Sequence, residues 1–346
     1  MKAEAERAHG FRMPAEWEPH EATWIAWPHN REDWPGRFSP IPWVYTEIVR
    51  KLSAAERVRV LVDDRALQEQ ARRLLRRAGA DLAAVDFFPC PTNRVWTRDY
   101  GPIFVSDAQG EVAITQWRFN GWAKYDNYKF DARVPDFLAR RLKLTSFTPG
   151  IVLEGGSIDV NGDGWLLTTE ECLLSPVQAR NPGLTADDIE CVLRDYLGAD
   201  RVIWLKRGII GDDTHGHVDD VARFVAPHTV AAAWEPDRSD ANYEILAENF
   251  AILKDAGLKV VKLPMPRPVI FDGQRLPASY ANFYIANGLV LVPTYNDPND
   301  RVALNTLAKL FPDREVCGIN CTELILGLGA LHCMTQQQPA RRGQRR

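Results

Sequence analysis

The chain has 346 residues, of which 45% are hydrophobic and 25% are charged. This composition is typical of a folded globular protein and excludes a disordered chain, a collagen-like fibre and a small disulfide scaffold. The net charge is −4 although four arginines stand in the last six residues, so the body of the chain is acidic, which disfavours nucleic-acid binding and suits a cationic ligand.

Amphipathic patterns predict helices at residues 64–78, 133–141, 185–197, 239–256 and 298–310. Asp64 is expected to cap the first helix, and Thr185 with Asp188 forms a capping-box pattern at the third. Runs rich in β-branched and aromatic residues predict strands at 57–62, 101–105, 111–119, 165–168, 201–205, 221–225, 230–234, 258–262, 280–286 and 289–292. The Asn-Gly pair between the last two strands predicts a tight hairpin.

The last four predicted helices begin 52 to 59 residues apart, and two or three strands lie in each interval. This spacing predicts an α/β fold built from a repeated strand–strand–helix–strand unit that closes into a ring or propeller. No long linker divides the chain. We therefore expect one catalytic domain at residues 1–338 and a basic, disordered tail at residues 339–346.

The six cysteines lack the paired spacing of a zinc site or a disulfide framework. The start of the chain has no apolar segment typical of a secretory signal, and no apolar run reaches the roughly 18 residues of a membrane span. These features predict a reducing, cytoplasmic location and no membrane partner.

The most conspicuous polar cluster is the segment DDTHGHVDD at residues 212–220. In an extended conformation, His215, His217 and Asp219 would share one face. General acid–base work by one histidine beside carboxylates is the first interpretation, and a polar turn before a buried strand is the second. A metal-dependent hydrolase with these three side chains as ligands is the third.

Two further acids stand at the mouths of predicted strands. Asp99 follows Trp96 and Arg98 and precedes a Gly-Pro turn, so it could hold a planar cation whose face the indole covers. An internal Arg98–Asp99 ion pair is the alternative. Glu154 ends an apolar run before two glycines and, if buried, needs a partner such as a protonated histidine. A glycine bulge with Glu154 at its rim is the alternative there.

Residues 159–170 match the spacing of an EF-hand calcium loop. A calcium loop of this type needs a helix on each side, whereas strand-like runs flank these residues. We therefore expect a hairpin turn at residues 161–164 and no calcium binding.

Cys333 differs from the other cysteines because glycines and polar residues surround it. Its neighbour His332 is a poor base for it, since adjacent side chains of an extended segment point to opposite faces, and His217 is the best candidate partner. A thiol, a histidine and the three acids named above suit a guanidinium substrate. Two carboxylates would fix the plane of that cation and offset its charge while a thiolate attacks its central carbon.

Seven segments are similar to one known family, namely MPAEWEPHEATWIAWP, WTRDYGPIFV, EGGSIDVNGDGWLLTTEECLL, RNPGLT, GDDTHGHVDD, LPASYANFYIANG and LHCMTQQQP. From Met13 to Pro339 they resemble, in order, the agmatine deiminases of the Porphyromonas-type peptidylarginine deiminase family. The resemblance implies a five-bladed α/β propeller of ββαβ-type units. It also implies hydrolysis of a guanidine to a ureido group and ammonia, without a cofactor or a metal.

The resemblance also implies roles for individual residues. Cys333 would be the nucleophile and His217 the general acid and base, with Glu154 holding the imidazole. Two carboxylates would bind the guanidinium nitrogens and one indole would form a wall of the pocket, namely Asp99, Asp219 and Trp96.

Two departures from the family pattern concern the pocket. The chain has GLGALHC where familiar members have GGGNIHC, and Asp220 where they tend to have Asn. Agmatine, which would give N-carbamoylputrescine, is the expected substrate, with peptidyl-arginine or free arginine as alternatives. The expected partner is therefore a small cationic guanidine, and family members are often dimers or larger. A protein that only binds such a ligand is the non-enzymatic alternative.

Overall fold

The computed structural model describes residues 8–341. In this part of the chain eight α-helices form, of which six run for two turns or more and two are single turns. They are α1 (Ile41–Ser53), α2 (Arg65–Arg77), α3 (Thr97–Tyr100), α4 (Val134–Leu142), α5 (Glu170–Leu173), α6 (Ala186–Leu197), α7 (Tyr243–Asp255) and α8 (Asn299–Leu310).

The strands of the same residues are short, as is usual for small sheets connected by helices. They are β1 (Phe11–Arg12), β2 (His20–Ala26), β3 (Arg57–Val62), β4 (Val85–Pro89), β5 (Ile103–Asp107), β6 (Val112–Thr115), β7 (Ser146–Phe147), β8 (Asp159–Val160), β9 (Trp165–Thr169), β10 (Arg201–Leu205), β11 (Ala222–Ala226), β12 (Thr229–Trp234), β13 (Lys259–Pro264), β14 (Ile270–Phe271), β15 (Gln274–Arg275), β16 (Tyr284–Ala286), β17 (Leu289–Thr294), β18 (Glu315–Asn320) and β19 (Gln336–Pro339).

One three-strand pattern recurs in five sheets: the first strand pairs antiparallel with the second, and the second pairs parallel with the third. The five sets are β5–β6–β7, β8–β9–β10, β11–β12–β13, β16–β17–β18 and β19–β2–β3. A helix crosses between the parallel strands of each set, namely α4, α6, α7, α8 and α1. The predicted α/β class and its repeated unit are confirmed.

The two ends of the described chain meet in one sheet. Strand β19 pairs antiparallel with β2, so that Gln336 lies opposite Trp24. The ordered chain continues into the first residues of the predicted tail, because Pro339 belongs to β19 and the Ala340 N–H donates to the Pro19 carbonyl. Residues 342–346, the rest of that tail, lie outside the described residues.

The helix caps form as the local sequence predicts. The Asp64 carboxylate accepts from the Leu67 N–H, and Thr185 and Asp188 make a reciprocal capping box. The helix predicted from residue 239 begins later, at Tyr243. The patterns do not predict α1, whose sequence IPWVYTEIVRKLS is rich in β-branched and aromatic residues and is held as a helix by the burial of one face.

The two predicted hairpins are confirmed. Strands β16 and β17 flank Asn287-Gly288, and Gly288 has a positive φ of 66°. Strands β8 and β9 flank residues 161–164 in the calcium-like segment. The Asp159 carboxylate, the first ligand of the hypothetical calcium loop, accepts instead from the Arg223 guanidinium at 2.6 Å.

The tryptophan-rich start of the chain belongs to the largest of three hydrophobic clusters. Trp24, Trp27 and Trp34 are fully buried there, whereas Trp43 on α1 is half exposed. No helix within residues 8–341 is both long and apolar enough to cross a lipid bilayer.

Candidate active site

Five polar residues occupy the same position in the five repeated sheets. Each lies in the turn just before the first strand of its set: Asp99 before β5, Glu154 before β8, Asp219 before β11, Asn282 before β16 and Cys333 before β19. All five are buried. The contacts below show that these turns meet one another, so the repeated topology assembles one polar cluster from residues far apart in sequence.

Cys333 lies in a turn and is 5% exposed. Its Sγ lies 3.5 Å from Asp219 Oδ2, and Asn282 Nδ2 lies 3.1 Å from the sulfur, in position to donate to it. Burial and the nearby carboxylates, Asp219, Asp220 and Asp99, raise the pKa of the Cys333 thiol well above its usual value. The sulfur of the unliganded site is therefore a protonated thiol.

His217 is fully buried between two carboxylates. Its Nδ1 lies 3.7 Å from Asp99 Oδ1 and its Nε2 lies 3.7 Å from Glu154 Oε2. Burial acts to lower the pKa of His217, but the Asp99 charge and the interactions with Cys172 and Glu154 outweigh it and raise this pKa well above 6.5. The ring is therefore an imidazolium, and neither nitrogen has a hydrogen-bond partner within the described part of the chain.

Glu154 is held in its charged form by a buried arginine. Arg180 Nε donates to both carboxylate oxygens, at 3.1 and 3.3 Å. Burial opposes ionisation, but the charges of Arg180 and His217 lower the pKa of Glu154 to about 2. The glycines that follow are a steric requirement, because a Cβ on Gly156 would lie 2.5 Å from His217 Nδ1.

Asp99 receives two hydrogen bonds. Trp122 Nε1 donates to its Oδ2 at 2.9 Å, and the Gly156 N–H donates to its Oδ1 at 3.1 Å. Burial raises the pKa of Asp99 to about 7, with His217 opposing the rise and Asp219 and Glu154 adding to it. The carboxyl therefore titrates near neutral pH.

The pKa values of Asp219 and the neighbouring Asp220 are shifted in opposite directions. Burial opposes ionisation of both, but a 2.7 Å contact with His332 Nδ1 lowers the pKa of Asp219. Asp220 accepts from Asn282 Nδ2 at 3.0 Å, and burial together with the Asp219 charge raises its pKa well above the usual range. One acid is charged and its neighbour is neutral.

A cavity of about 330 Å³ leads to Cys333 and Asp99. Trp96 and Trp122 form part of its wall, and Gly329 packs so closely on Trp96 that a Cβ there would lie 2.7 Å from the indole. The outer part is lined by polar and charged side chains, among them Glu32, Asp33, Arg94, Tyr125, Asn127 and Asp213. The site is thus an open channel that ends at a thiol.

The structure brings the predicted site residues into one cluster. Trp96, Asp99 and Cys333 line the cavity, Asp219 contacts the sulfur, and His217 links Asp99 to Glu154 as described above. Cys333 and His217 make no direct hydrogen bond among the described residues. The acids lie between them instead: Asp219 contacts the sulfur, and Asp99 lies 3.7 Å from His217 Nδ1.

Residues 215–219 are not extended, so the condition under which His215, His217 and Asp219 would share one face is not met. His215 has a left-handed φ of 63°, and a 3-10 turn follows at Val218–Asp220. His215 Nε2 lies 3.1 Å from Ser175 Oγ, away from the partners of His217. The three proposed metal ligands therefore do not share a face, and they do not form one of the possible ligand groups within residues 8–341.

Several functional positions were not found by sequence reasoning. Asn282, Arg180, Trp122 and His332 each contact one of the predicted residues directly. Arg180 and Asn282 stand inside the family-like segments RNPGLT and LPASYANFYIANG, which was the available signal. Trp122 carried no signal, since a lone indole is more often part of a core.

A buried thiol, an imidazolium and paired carboxylates at the end of a cavity define the class of enzymes that attack cationic C–N groups through cysteine. The family model of the Porphyromonas-type peptidyl-arginine deiminases matches residues 12–339, and the chain belongs to this family. It is 37% identical to an agmatine deiminase of Pseudomonas aeruginosa, over 97% of each chain.

Solved structures agree with this assignment. The chain resembles the agmatine deiminase of Enterococcus faecalis with a TM-score of 0.90 and 34% identity, over 99% of each chain. It resembles a Cys-to-Ser variant of the C. jejuni agmatine deiminase with substrate bound with a TM-score of 0.89 and 31% identity, over 96% of this chain and 97% of the other.

Proposed function

We propose that this chain hydrolyses agmatine to N-carbamoylputrescine and ammonia through a covalent intermediate on Cys333. The observation that carries the proposal is the position of the Cys333 thiol beside Asp219, at the end of a cavity that also reaches Asp99. The relatives named above are agmatine deiminases, which supports agmatine among the possible guanidines.

The two carboxylates suit a guanidinium because each can accept N–H bonds from one edge of the planar cation. Asp219 Oδ1 is buried and has no hydrogen-bond partner within the described residues, so it is an acceptor that lacks a donor. Asp99 already has its two donors but is only half ionised near pH 7. A bound cation would favour its charged form and strengthen the contact.

The substrate would also activate the nucleophile. In the empty site burial and the carboxylates raise the pKa of Cys333, so the thiol keeps its proton. A guanidinium between the acids offsets their charge and lowers the pKa of the thiol, which then releases its proton to solvent. The reactive thiolate is thus formed only when there is a substrate to attack.

The reaction then proceeds in two displacements. The Cys333 thiolate attacks the guanidinium carbon and forms a C–S bond as the C=N π electrons move to nitrogen. The His217 imidazolium gives its proton to the departing nitrogen, and the C–N bond breaks to release ammonia and leave an S-alkylthiouronium. Neutral His217 then takes a proton from water, whose oxygen attacks the same carbon. The C–S bond breaks as the added hydroxyl group releases its proton to solvent, which restores the thiolate, leaves His217 as an imidazolium and gives the neutral ureido product.

The outer cavity favours a substrate without a carboxylate. Arg94 is the one cation among the described residues that line it, and both of its terminal nitrogens are engaged. They donate to Asp33 at 2.7 Å and to Asn127 at 2.8 Å, and the guanidinium lies 4.4 Å from the centre of the Tyr125 ring. Free arginine would need a free cation for its α-carboxylate, whereas agmatine would not.

We also propose that the five repeated sheets are blades of a five-bladed α/β propeller. The support is the shared strand pattern and the equivalent placement of the five site residues before the first strand of each set. Strand β19 joins β2 in the fifth set, which would close the ring with both ends of the chain.

We place this activity in the cytoplasm, on a small cationic guanidine and without nucleic-acid or membrane partners. All six cysteines lie in the described residues and are free thiols, which supports a reducing compartment. Assembly into a homo-oligomer stays a prediction from the family resemblance.

The proposal is tested by ammonia release from agmatine, free arginine and a blocked arginine peptide, at equal concentrations. We expect the highest kcat/KM for agmatine. Rapid quenching and intact-mass analysis should detect an adduct that is absent from Cys333→Ala. Cys191→Ala, which removes an exposed cysteine on α6, is the matched control and should keep full activity.

Two outcomes would contradict the proposal. Preference for the blocked peptide would overturn the choice of agmatine while leaving the chemistry intact. Full turnover by Cys333→Ala, or activity that depends on stoichiometric zinc and is lost on chelation, would overturn the thiol mechanism.

A further inference from the structure

His332 precedes the proposed nucleophile, yet no step above uses it. The residue is 1% exposed, and its ring lies between two carboxylates. Nδ1 is 2.7 Å from Asp219 Oδ2, and Nε2 is 2.8 Å from Glu16 Oε2. Both distances are those of strong hydrogen bonds to charged groups.

Both carboxylates are ionised in this arrangement. The Glu16 carboxylate forms ion pairs with the Arg223 guanidinium at 2.9 Å and the Arg98 guanidinium at 3.1 Å, in addition to its contact with His332. Burial opposes ionisation of Glu16, but Arg223 and His332 lower its pKa well below the usual range. The contact with His332 likewise lowers the pKa of Asp219. Ionised carboxylates only accept, so the ring of His332 lies where it can donate to each of them.

The main chain fixes the position of this ring. The His332 N–H donates to the Asn282 side-chain oxygen at 2.9 Å, and Arg98 Nε donates to the His332 carbonyl at 3.3 Å. Asn282 also holds the N–H and the sulfur of Cys333. The Asn282 side chain therefore positions both the nucleophile and His332, and the Arg98 side chain holds the His332 carbonyl.

The charges around Asp219 explain why a hydrogen-bond donor is needed there. Asp99, Asp220 and the Cys333 thiol all lie close to it, and each would disfavour a second negative charge when ionised. Arg223 and His217 act in the opposite sense, but His332 is the group in direct contact with the Asp219 carboxylate. It occupies Oδ2 and leaves Oδ1 without a partner.

We propose that His332 is a positioning residue, held by Glu16, that donates from Nδ1 to Asp219 Oδ2 and so orients Asp219 Oδ1 toward the guanidinium. Glu16 in the segment MPAEWEPH thereby becomes part of the site from the other end of the chain. The identity of the ligand rests on the proposed function, whereas the hydrogen bond from His332 to Asp219 does not.

The hydrogen bond is tested on the wild-type protein. In the 15N spectrum of histidine-labelled enzyme at pH 7 we expect His332 Nδ1 to carry a proton, with its N–H signal protected from exchange. His217→Asn removes the other histidine of the site and His332→Gln assigns the remaining signals. An Nδ1 without a proton would overturn the proposal, even if His332→Gln does not fold.

The functional consequence is tested by the pH dependence of kcat/KM for agmatine. Without the hydrogen bond from His332 the pKa of Asp219 rises, so His332→Gln should lose about tenfold to a hundredfold in kcat/KM at pH 7, chiefly through KM. The loss should shrink toward pH 9, where Asp219 ionises without help. Glu16→Gln should change the profile in the same direction, and Glu16→Asp should rescue it in part.

His20→Gln is the matched control, because it removes another buried histidine that pairs with a carboxylate, Glu56 at 3.3 Å. We expect it to lower stability without moving the pH profile. An equal loss for His332→Gln at every pH would show a purely structural role and refute the inference. If the wild type does not turn over agmatine, the proposed function fails, and the 15N result still decides the state of His332.

Discussion

The Trp122→Phe substitution tests the link between the charge of Asp99 and substrate capture. Trp122 Nε1 donates to Asp99 Oδ2 at 2.9 Å, and phenylalanine keeps a ring in the wall while removing the donor. A hydrogen bond to a charged group contributes about 1.5–3 kcal/mol, which corresponds to about one to two pKa units. Because Asp99 titrates at about 7 in the empty site, removing the bond should raise its pKa further.

The direction of the pH effect follows from the sign of this shift. A guanidinium needs the ionised form of Asp99, so kcat/KM of the wild type should fall as the pH drops below about 7. In Trp122→Phe this acid limb should move up by about one to two pH units, with a loss of about fivefold to fiftyfold at pH 7 and recovery toward pH 9. The acid limb of kcat should lie at a lower pH than that of kcat/KM, since the bound cation already favours the ionised form of Asp99.

The assay is ammonia release at agmatine concentrations far below KM, from pH 5.5 to 9.5. Trp117→Phe is the matched control, because its indole donates to Thr115 Oγ1 at 2.9 Å in a separate hydrophobic cluster. It should leave the pH profile unchanged. An acid limb that stays in place in Trp122→Phe would show that Asp99 does not govern it and would refute the reasoning.

Two more substitutions test the charge pattern of the site. Glu154→Gln leaves Arg180 and His217 buried without their carboxylate, so urea titration should show a loss of about 3–5 kcal/mol in the free energy of unfolding. The kcat should also fall, because the His217 imidazolium is no longer held. Unchanged stability would contradict this reasoning. Asp220→Asn should change kcat/KM at pH 7 by no more than about twofold, since the pKa of Asp220 is raised and the acid is neutral. A tenfold change would show that Asp220 carries a charge beside Cys333.

Local signals predict much of the fold and less of the site. The capped helices α2 and α6 and the hairpin at Asn287-Gly288 follow from residues next to one another in sequence. Helix α1 does not, because burial of one face outweighs the strand preference of its residues. The run predicted as a strand from residue 280 pairs only from Tyr284, since the preceding residues form the turn that brings Asn282 to the site.

The site residues that the sequence did not predict are those whose role depends on a partner from another sheet. Glu16 resembles an ordinary exposed acid in sequence, and becomes a charged group of the site only because β2 and β19 pair and bring His332 beside it. The prediction that His332 is a poor base for Cys333 agrees with this geometry, but local alternation says nothing about where its ring goes instead. A cluster of buried charges has no local signature, because each charge is tolerated only through the others. Burial is the first cause of the raised pKa values of Asp99 and Cys333, and neighbouring acids add to it, so an arriving cation would offset the second cause at both groups.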